Sequence, residues 1–588
     1  MLLSSRGYGS VGAGRTGGPE NFRESHNKTA CNKLRPHVPI RLKANNMLRS
    51  LSDLVANIVA PTTQEEEEEG KDEDFTMMMK KKNNNNNSIN GGNNATSSPP
   101  APDDSDNSVE DIVSAPTSEA DRMTLFNNLN LTKYINKDVM SVASLPIFLF
   151  EPTTTLQRIA EIFEHGHALL ILANSQQDPV MRMAYVAAFA VANYAGSERT
   201  GKPFNPILGE TFEMVGGGGA GFTTATAAAD DKRDDDAAND STTENFYLLA
   251  EQVSHHPPIG AAHAECTNHY EYSITSAPKT KFHGNSVTIY PINYTTVQLK
   301  SQRQETYRLR RTPVTAVNNL IVGGSMWTDT HGTLEICSDD GVTTCTLQFE
   351  QCGSFGEGHY EVMGTVRRNG VPQVAICGLW NEGLDAVACD VDGNPIDDAD
   401  PISLWRVDPA YVEASKKNKY SMTPFVDRMN ACDASSLGAL VRRRNSGRAC
   451  DLSAAVVDDG DRLLLPSDSR LRPDREALQR GDLSTAARWK GRLEEQQREE
   501  RRRRDAEGTE YKPRYFTLRR RRGAEEEESN DDDAPMAIPY DVDLERFRRR
   551  ADAAIMAATT MAPAAGDDDD DDGADDDCVK FAPWQYSD

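Results

Sequence analysis

Seven short segments rich in Val, Ile, Thr, Tyr and Cys follow one another between residues 211 and 407, with turn residues between them. They read YEYSIT, SVTIYPI, GTLEIC, TCTLQFE, HYEVMGTV, QVAICGLW and DAVACDV. Segments of this composition are typical of β-strands, and short connections containing Gly, Asn or Asp favour antiparallel pairing of neighbours. A sheet with so many strands curls or closes on itself. We therefore expect a mainly β chain of the α+β class, built on one antiparallel sheet large enough to curl or close.

Two stretches that flank the strand-rich region have helical periodicity instead. In residues 156–194 apolar side chains recur at spacings of three and four, as at Leu156, Ile159 and Phe163, which predicts two helices. Residues 474–505 also have a helical pattern, but they are highly charged and carry few periodic apolar positions. Such a helix is expected at a surface or rim of the fold.

The remaining sequence is too polar to contribute to a packed core. Acidic and Asn runs dominate residues 1–120, and a Gly-, Asp- and Thr-rich tract interrupts two apolar runs at 215–245. Segments of this kind bury too little apolar surface to offset their conformational entropy. We expect a disordered region at 1–120, a folded domain at 121–520 with loop insertions at 215–245 and 432–461, and an acidic, mostly disordered tail at 521–588.

Composition and charge exclude several classes of protein. The formal net charge of -27, from 64 Lys and Arg against 91 Asp and Glu, opposes binding to nucleic acid, so no nucleic-acid partner is expected. The longest nearly uninterrupted apolar stretch, residues 184–192, is shorter than the roughly 20 residues that cross a bilayer. Ten scattered cysteines without CxxC pairs fit a reducing, cytosolic setting. The start of the chain has no acidic residue before Glu20, which leaves an organelle transit peptide as an alternative.

Two local patterns suggest enzymatic sites, but each lacks part of the required chemistry. The segment GSERTGKP has the Gly-x-x-x-x-Gly-Lys spacing of a phosphate-binding loop, yet Pro203 stands where Ser or Thr would bind magnesium. His255 and His256 are adjacent, and neighbouring side chains of an extended segment point to opposite sides, which disfavours a shared metal ion. We therefore assign no catalytic residue, no metal ligand and no cofactor, and we expect a protein that is not an enzyme.

The string EQVSHHPP, residues 251–258, resembles the fingerprint of the oxysterol-binding protein and oxysterol-binding-protein-related family. Other segments resemble the same family in the same order along the chain: SVASLPIFLFEPTTTLQRIAEIFEHGHALL, YVAAFAVANYAGSERTGKPFNPILGETFE, NNLIVGGSMWTDTHG, GLWNEGL and LLPSDSRLRPDREALQRGDLSTAARWKGRLEEQQRE. The resemblance covers nearly all of the predicted folded body.

This resemblance implies a near-closed barrel around a hydrophobic lipid tunnel, with an N-terminal lid and helices and a C-terminal charged helical part. It implies that the protein binds one lipid at a time, either phosphatidylinositol 4-phosphate or a sterol or other second lipid, and exchanges them between membranes. The lid is expected near residues 123–134, where Leu125, Phe126 and Leu129 form an apolar face, although a simple docking helix has the same pattern. The implied location is cytoplasmic and peripheral, at organelle membranes or membrane contact sites.

The residues that match the family's headgroup contacts are Lys202, Asn205, His255, His256, Lys490, Glu494 and Arg498. By this match the His pair and Arg498 would meet the 4-phosphate, and the other four would meet the inositol ring and the bridging phosphate. A phosphomonoester carries nearly two negative charges, so its pocket needs several fixed donors and cations. The spacing of Lys490, Glu494 and Arg498 places them on one helix face, although solvated ion pairs have the same spacing.

Three functions remain open at this point. The first is lipid transfer without chemical change, and the second is a phosphoinositide sensor or scaffold that binds the same headgroup without moving it. The third is a metal-dependent lipid hydrolase that uses His255 and His256. The string DEDFTMMMK, an acidic tract followed by an aromatic residue, faintly resembles a targeting motif and makes an endoplasmic-reticulum adaptor a further candidate partner.

Overall fold

The computed structural model describes residues 122–123, 131–138, 145–216, 245–301, 304–396, 399–430, 465–519, 537–560 and 581–583. Several predictions lie outside these residues. They are the disordered region 1–120 with its DEDFTMMMK string, the insertion 432–461, most of the insertion 215–245, and the lid residues Leu125, Phe126 and Leu129.

The α-helices of the described residues are α1 (Thr155–Ala160), α2 (Phe163–Ser175), α3 (Pro179–Ala192), α4 (Pro409–Lys417), α5 (Pro424–Asn430), α6 (Pro473–Gln479), α7 (Leu483–Glu507) and α8 (Leu544–Thr560). The strands are β1 (Phe150–Thr154), β2 (Lys202–Phe204), β3 (Thr211–Gly216), β4 (Phe246–His255), β5 (Pro258–Cys266), β6 (Tyr270–Ser276), β7 (Lys279–Phe282), β8 (Ser286–Tyr290), β9 (Asn293–Leu299), β10 (Thr306–Arg311), β11 (Val314–Asn318), β12 (Trp327–Ser338), β13 (Thr343–Phe349), β14 (Glu361–Arg368), β15 (Val371–Leu379), β16 (Gly383–Ala388), β17 (Ile402–Arg406), β18 (Phe516–Leu518) and β19 (Tyr540–Val542).

One large antiparallel sheet dominates the fold. Its strands follow the order β17-β16-β15-β14-β13-β12-β10-β9-β6-β5-β4-β3, and β7, β8 and β11 form a branch that joins at β12. Along most of this order, neighbours in the sheet are also neighbours in the chain, so short turns connect them. The predicted mainly β class, the antiparallel pairing and the predicted strand segments are confirmed.

The helices α1, α2 and α3 lie against one face of this sheet and contact both ends of the strand order. Helix α1 contacts β3, β4 and β5, whereas α3 contacts the strands from β13 to β17. A flat sheet could not place its first and last strands against one short helical layer, so the sheet curves around these helices. The apolar core formed between them includes the fully buried Phe163, Phe189 and Phe246.

The helical segment 156–194 contains three helices where two were predicted. Helix α1 begins at a capping box in which Thr154 accepts from the backbone of Gln157 and Gln157 accepts from the backbone of Thr154. Residues 161 and 162 keep right-handed helical angles but interrupt the regular helix before α2. Asp178 caps α3, whose first residue is Pro179, so this boundary follows ordinary helix-start chemistry.

The charged segment 474–505 forms α6 and the longer α7, as expected for a helix at a rim. Gly481 has a φ of 85°, which breaks the helix, and Asp482 then caps α7. Few residues of α7 are buried, among them Ala486, Lys490 and Leu493. This buried stripe rests on the segment before β1 and fixes the position of α7 beside the sheet.

The folded body extends past the predicted boundary at residue 520. Strand β19 pairs with β18, and α8 packs on β3 and β4 through the buried Phe547, Ala551 and Ala554. The acidic composition of the tail concealed this short amphipathic stretch. The insertion is also shorter than predicted, because β3 pairs with β4 as far as Gly216 opposite Phe246. No helix among the described residues is long and apolar enough to cross a membrane.

Candidate functional site

The EQVSHHPP segment forms a tight hairpin at the end of β4. His255 ends β4, Pro258 begins β5, and His256 and Pro257 make the turn. A bulge between residues 252 and 254 shifts the register, so the strand's simple alternation of side chains ends before the His pair. The two rings lie edge to face with their centroids 4.8 Å apart. The expectation that they point to opposite sides is therefore wrong.

The two histidines differ in exposure, and both favour the neutral form. Burial lowers the pKa of His255 to about 4, with the charge of His256 as the next contribution. Burial also lowers the pKa of His256, followed by the positive charge of Arg501. The buried Nδ1 of His255 has no hydrogen-bond partner among the described residues. An anion bound here would give this nitrogen a partner and favour the protonated rings.

Lys202 begins the short strand β2, which runs parallel to β1 with Lys202 opposite Phe150. Its Nζ lies 4.6 Å from the centroid of the Phe150 ring and donates to the carbonyl of Pro203 at 3.2 Å. Burial lowers the pKa of Lys202 to about 7, with a further contribution from the charge of Lys490. An anionic ligand would stabilise the charged form of this lysine and restore its full charge.

Lys490 reaches the same place from α7. Its side chain is largely buried, its Nζ lies 5.4 Å from the Phe150 ring, and it pairs with Glu494 at 2.7 Å. The charge of Glu494 also acts on Lys202, in the direction that raises its pKa. The structure thus brings Lys202, Lys490 and Glu494 together around one aromatic ring.

Arg498 occupies the outer side of α7. Its side chain is 59% exposed and pairs with Glu495 at 2.8 Å and with Glu494 at 3.6 Å. In this arrangement it belongs to a solvated ion-pair face. Arg501, one turn further along, is equally exposed at 60% and pairs with Asp505 at 3.8 Å, but its charge contributes to the lowered pKa of both histidines.

Asn205 lies in the loop that follows β2. Its carbonyl accepts from Arg472 at 3.1 Å, and Arg472 is itself buried between Glu210 and Asp474. The residues that line a small cavity here come from this loop, from α1, β4, β5 and β6, and from the connection after β6: Thr155, Ile159, Asn205, Gln252, Pro258, Gly260, Ser276 and Pro278. Asn205 therefore lies beside the fingerprint hairpin, and it directly follows the strand that carries Lys202.

Residues 128–534 match the family described as "Oxysterol-binding protein". The chain belongs to the oxysterol-binding protein family. Oxysterol-binding protein-related protein 3B of Arabidopsis thaliana is 35% identical over 387 residues, which cover 66% of this chain and 71% of that protein. Oxysterol-binding protein-related protein 1 of Homo sapiens is 32% identical over 408 residues, which cover 64% of this chain and 38% of that protein. The crystal structure of the Osh1 ORD domain in complex with cholesterol is similar with a TM-score of 0.53 and 26% identity, covering 72% of this chain and 88% of that one.

Sequence reasoning missed several residues that build this oxysterol-binding domain around the hairpin. Gln497 accepts a hydrogen bond from the backbone N–H of Leu208 at 3.1 Å, which fastens α7 to the loop after β2. Gln497 follows Lys490 at a helical spacing, so its position on the same face of α7 could have been inferred from the sequence. The role of Phe150 had no such signal, because it depends on the pairing of β1 with β2.

The GSERTGKP segment has a structural explanation in this family member. In the GSERTGKP segment, Arg199 is buried and pairs with Glu151 at 3.1 Å and with Glu161 at 2.8 Å, which anchors the chain just before β2. No group of three His, Cys, Asp or Glu side chains within the described ranges is placed to hold a metal ion.

Proposed function

We propose that the protein is a non-enzymatic lipid-transfer protein that binds phosphatidylinositol 4-phosphate and a sterol or another second lipid in one tunnel. It exchanges these lipids between membranes, acting in the cytoplasm and peripherally at organelle membranes or membrane contact sites. The observation that carries this proposal is the convergence of Lys202 and Lys490 on the ring of Phe150, close enough to the hairpin that the charge of Arg472 acts on both Lys202 and His255.

The charge balance of this site suits a doubly charged phosphate. Burial lowers the pKa of Lys202 and of both histidines, which disfavours their charged forms. A bound anion stabilises those charged forms, so this site favours a negatively charged ligand. Lys490 and Arg501 add positive charge from α7, and Glu494 supplies an acceptor for an inositol hydroxyl. Exposed ion pairs are weak, so Arg498 can leave Glu495 and turn towards the same phosphate.

A sterol is the favoured second lipid. The related Osh1 ORD domain is described in complex with cholesterol, and the similarity to it covers 72% of this chain. A sterol has no phosphate, so its binding should not depend on the cations around Phe150. Phosphoinositide binding should therefore depend on these cations, whereas sterol binding should not.

Transfer between liposomes tests the proposal. Donor liposomes would carry phosphatidylinositol 4-phosphate and acceptor liposomes would carry sterol, and both lipids would be followed over time. We expect transfer of both lipids in opposite directions, chemically unchanged. Binding without transfer would favour a sensor or scaffold instead, and recovery of altered lipid would favour a hydrolase.

The double variant His255→Ala, His256→Ala separates the two lipids. It should extract little phosphatidylinositol 4-phosphate while it still loads sterol, because the removed donors act on the phosphate alone. Circular dichroism would establish that the variant is folded. Unchanged phosphoinositide extraction by the folded variant would remove the His pair from the site.

A further inference from the structure

Glu251, in the strand that ends at His255, has a role that headgroup contacts do not explain. Its side chain is fully buried. Its carboxylate accepts from the backbone N–H of Arg514 at 2.8 Å, from that of Tyr515 at 2.9 Å, and from the hydroxyl of Tyr511 at 2.8 Å. All three donors belong to one short segment, so the carboxylate fixes that segment to β4.

The segment that Glu251 holds comes directly after α7. Helix α7 ends at Glu507, Gly508 caps it with a left-handed φ of 66°, and the chain then reaches Tyr511. The Tyr511 ring lies 5.6 Å below the guanidinium of Arg504, which is itself largely buried on the last turns of α7. Tyr511 thus contacts Glu251 through its hydroxyl and α7 through its ring.

We propose that Glu251 is a positioning residue for headgroup binding: it fixes the segment after α7 to β4 and so holds the C-terminal half of α7 next to the hairpin that carries the His pair. This inference rests on the proposed function, because the phosphate is the ligand that meets both elements. Strand β4 then carries two residues that serve headgroup binding: Glu251 fixes the position of the helix, and His255 contacts the phosphate. The bond from Leu208 to Gln497 holds the middle of α7 in the same way.

A matched control exists on the neighbouring strand. Glu213 on β3 is as deeply buried as Glu251, and it accepts from Arg550 of α8 at 3.0 and 2.9 Å. Glu213 connects the sheet to α8, whereas Glu251 connects it to the segment after α7, and α8 carries none of the headgroup residues. Replacing either Glu by Gln keeps the side-chain volume and turns one acceptor into a donor that faces other donors.

The test compares Glu251→Gln, Glu213→Gln and Tyr511→Phe in the full chain. Extraction of phosphatidylinositol 4-phosphate from phosphatidylcholine liposomes is measured beside sterol loading from liposomes that contain sterol. For Glu251→Gln we expect phosphoinositide affinity to fall by about tenfold or more with sterol loading within about twofold, and for Tyr511→Phe a smaller loss of the same kind. Glu213→Gln should change the two lipids equally.

Hydrogen exchange of residues 497–507 gives a second measurement that a general loss of stability would not reproduce. We expect faster exchange there in Glu251→Gln and Tyr511→Phe than in Glu213→Gln. Equal exchange in all three, or equal loss of both lipids in Glu251→Gln, would overturn the positioning role. If Glu251→Gln does not fold, Tyr511→Phe decides. If the wild-type protein extracts no phosphoinositide, the proposed function fails, and the exchange measurement alone decides whether Glu251 holds α7.

Discussion

Lys202 and Lys490 hold their ammonium groups against the same aromatic ring, 4.6 and 5.4 Å from the centroid of Phe150. They come from distant parts of the chain, one from a short strand and the other from a rim helix. Two cations so placed repel each other, and the charge of Lys490 contributes to the lowered pKa of Lys202. An anionic headgroup would relieve this repulsion, so the site favours negatively charged ligands.

Headgroup affinity should therefore fall as the pH rises above 7. Burial lowers the pKa of Lys202 to about 7, so this lysine is charged below that pH and increasingly neutral above it. A bound phosphate favours the charged form, so the protein must take up a proton on binding at pH 8, and affinity falls by up to about tenfold per pH unit. Calorimetry with short-chain phosphatidylinositol 4-phosphate in two buffers of different ionisation enthalpy measures this uptake.

The control for this pH effect is Lys202→Arg. An arginine stays charged across the whole range, so the variant should lose the part of the pH dependence that lies between pH 7 and 9. Equal affinity of the wild-type protein at pH 6.5 and 8.5 would contradict the assignment of Lys202 to the headgroup site.

Reversal of charge at Lys490 should weaken phosphoinositide binding far more than reversal at Arg503. Lys490 is largely buried beside Lys202, so Lys490→Glu places a carboxylate where the phosphate should bind and should cost about 2 to 5 kcal/mol of binding free energy. Arg503 is exposed and pairs with Glu500 and Glu507, and Arg503→Glu should leave binding close to that of the wild type. Liposome extraction at two salt concentrations compares the variants. Equal losses with equal salt dependence would mean that α7 is only a basic surface.

The large sheet was predictable because its strands are short, rich in β-branched residues and joined in chain order by turns. The orientation of α7 was not. Lys490, Glu494 and Arg498 share one helix face by spacing, but so do Lys490, Glu494 and Arg501. Which side of α7 is buried depends on the apolar cluster that Ala486 forms with Phe150 and Phe204, and no local pattern predicts that cluster. The meeting of Lys202 with Lys490 likewise depends on the pairing of β1 with β2, which links segments that no local pattern connects.

Removal of residues 217–244, closed by a short turn, should leave the fold and lipid binding unchanged. Strands β3 and β4 pair up to Gly216 and Phe246, so the shortened connection joins two ends that already lie opposite each other. Shortening a loop lowers the entropy of the unfolded chain, which favours folding slightly. Thermal unfolding and liposome extraction would compare the deletion with the full chain. A deletion variant that is insoluble would show that the tract packs against the sheet.

The buried pair between Arg550 and Glu213 should make α8 essential to stability. Arg550 is 2% exposed and Glu213 is fully buried, and their charged atoms lie 2.9 Å apart. Arg550→Met would leave an unpaired buried carboxylate and should lower the free energy of unfolding by about 3 to 5 kcal/mol. Arg549→Met is the matched control, because Arg549 is exposed on the same helix and pairs with the exposed Glu545.

The pH dependence of this loss has a definite sign. Burial raises the pKa of Glu213, and the charge of Arg550 opposes that rise. Without Arg550 the folded-state pKa of Glu213 moves further above its unfolded value, so folding is penalised at pH 8 and the penalty fades as the carboxyl takes up a proton towards pH 5. Urea unfolding at both pH values measures the difference, and Glu213→Gln combined with Arg550→Met should recover part of the loss at pH 8. A loss that is the same at pH 5 and pH 8 would mean that α8 stabilises the sheet through Phe547 and its apolar neighbours, and not through the ion pair.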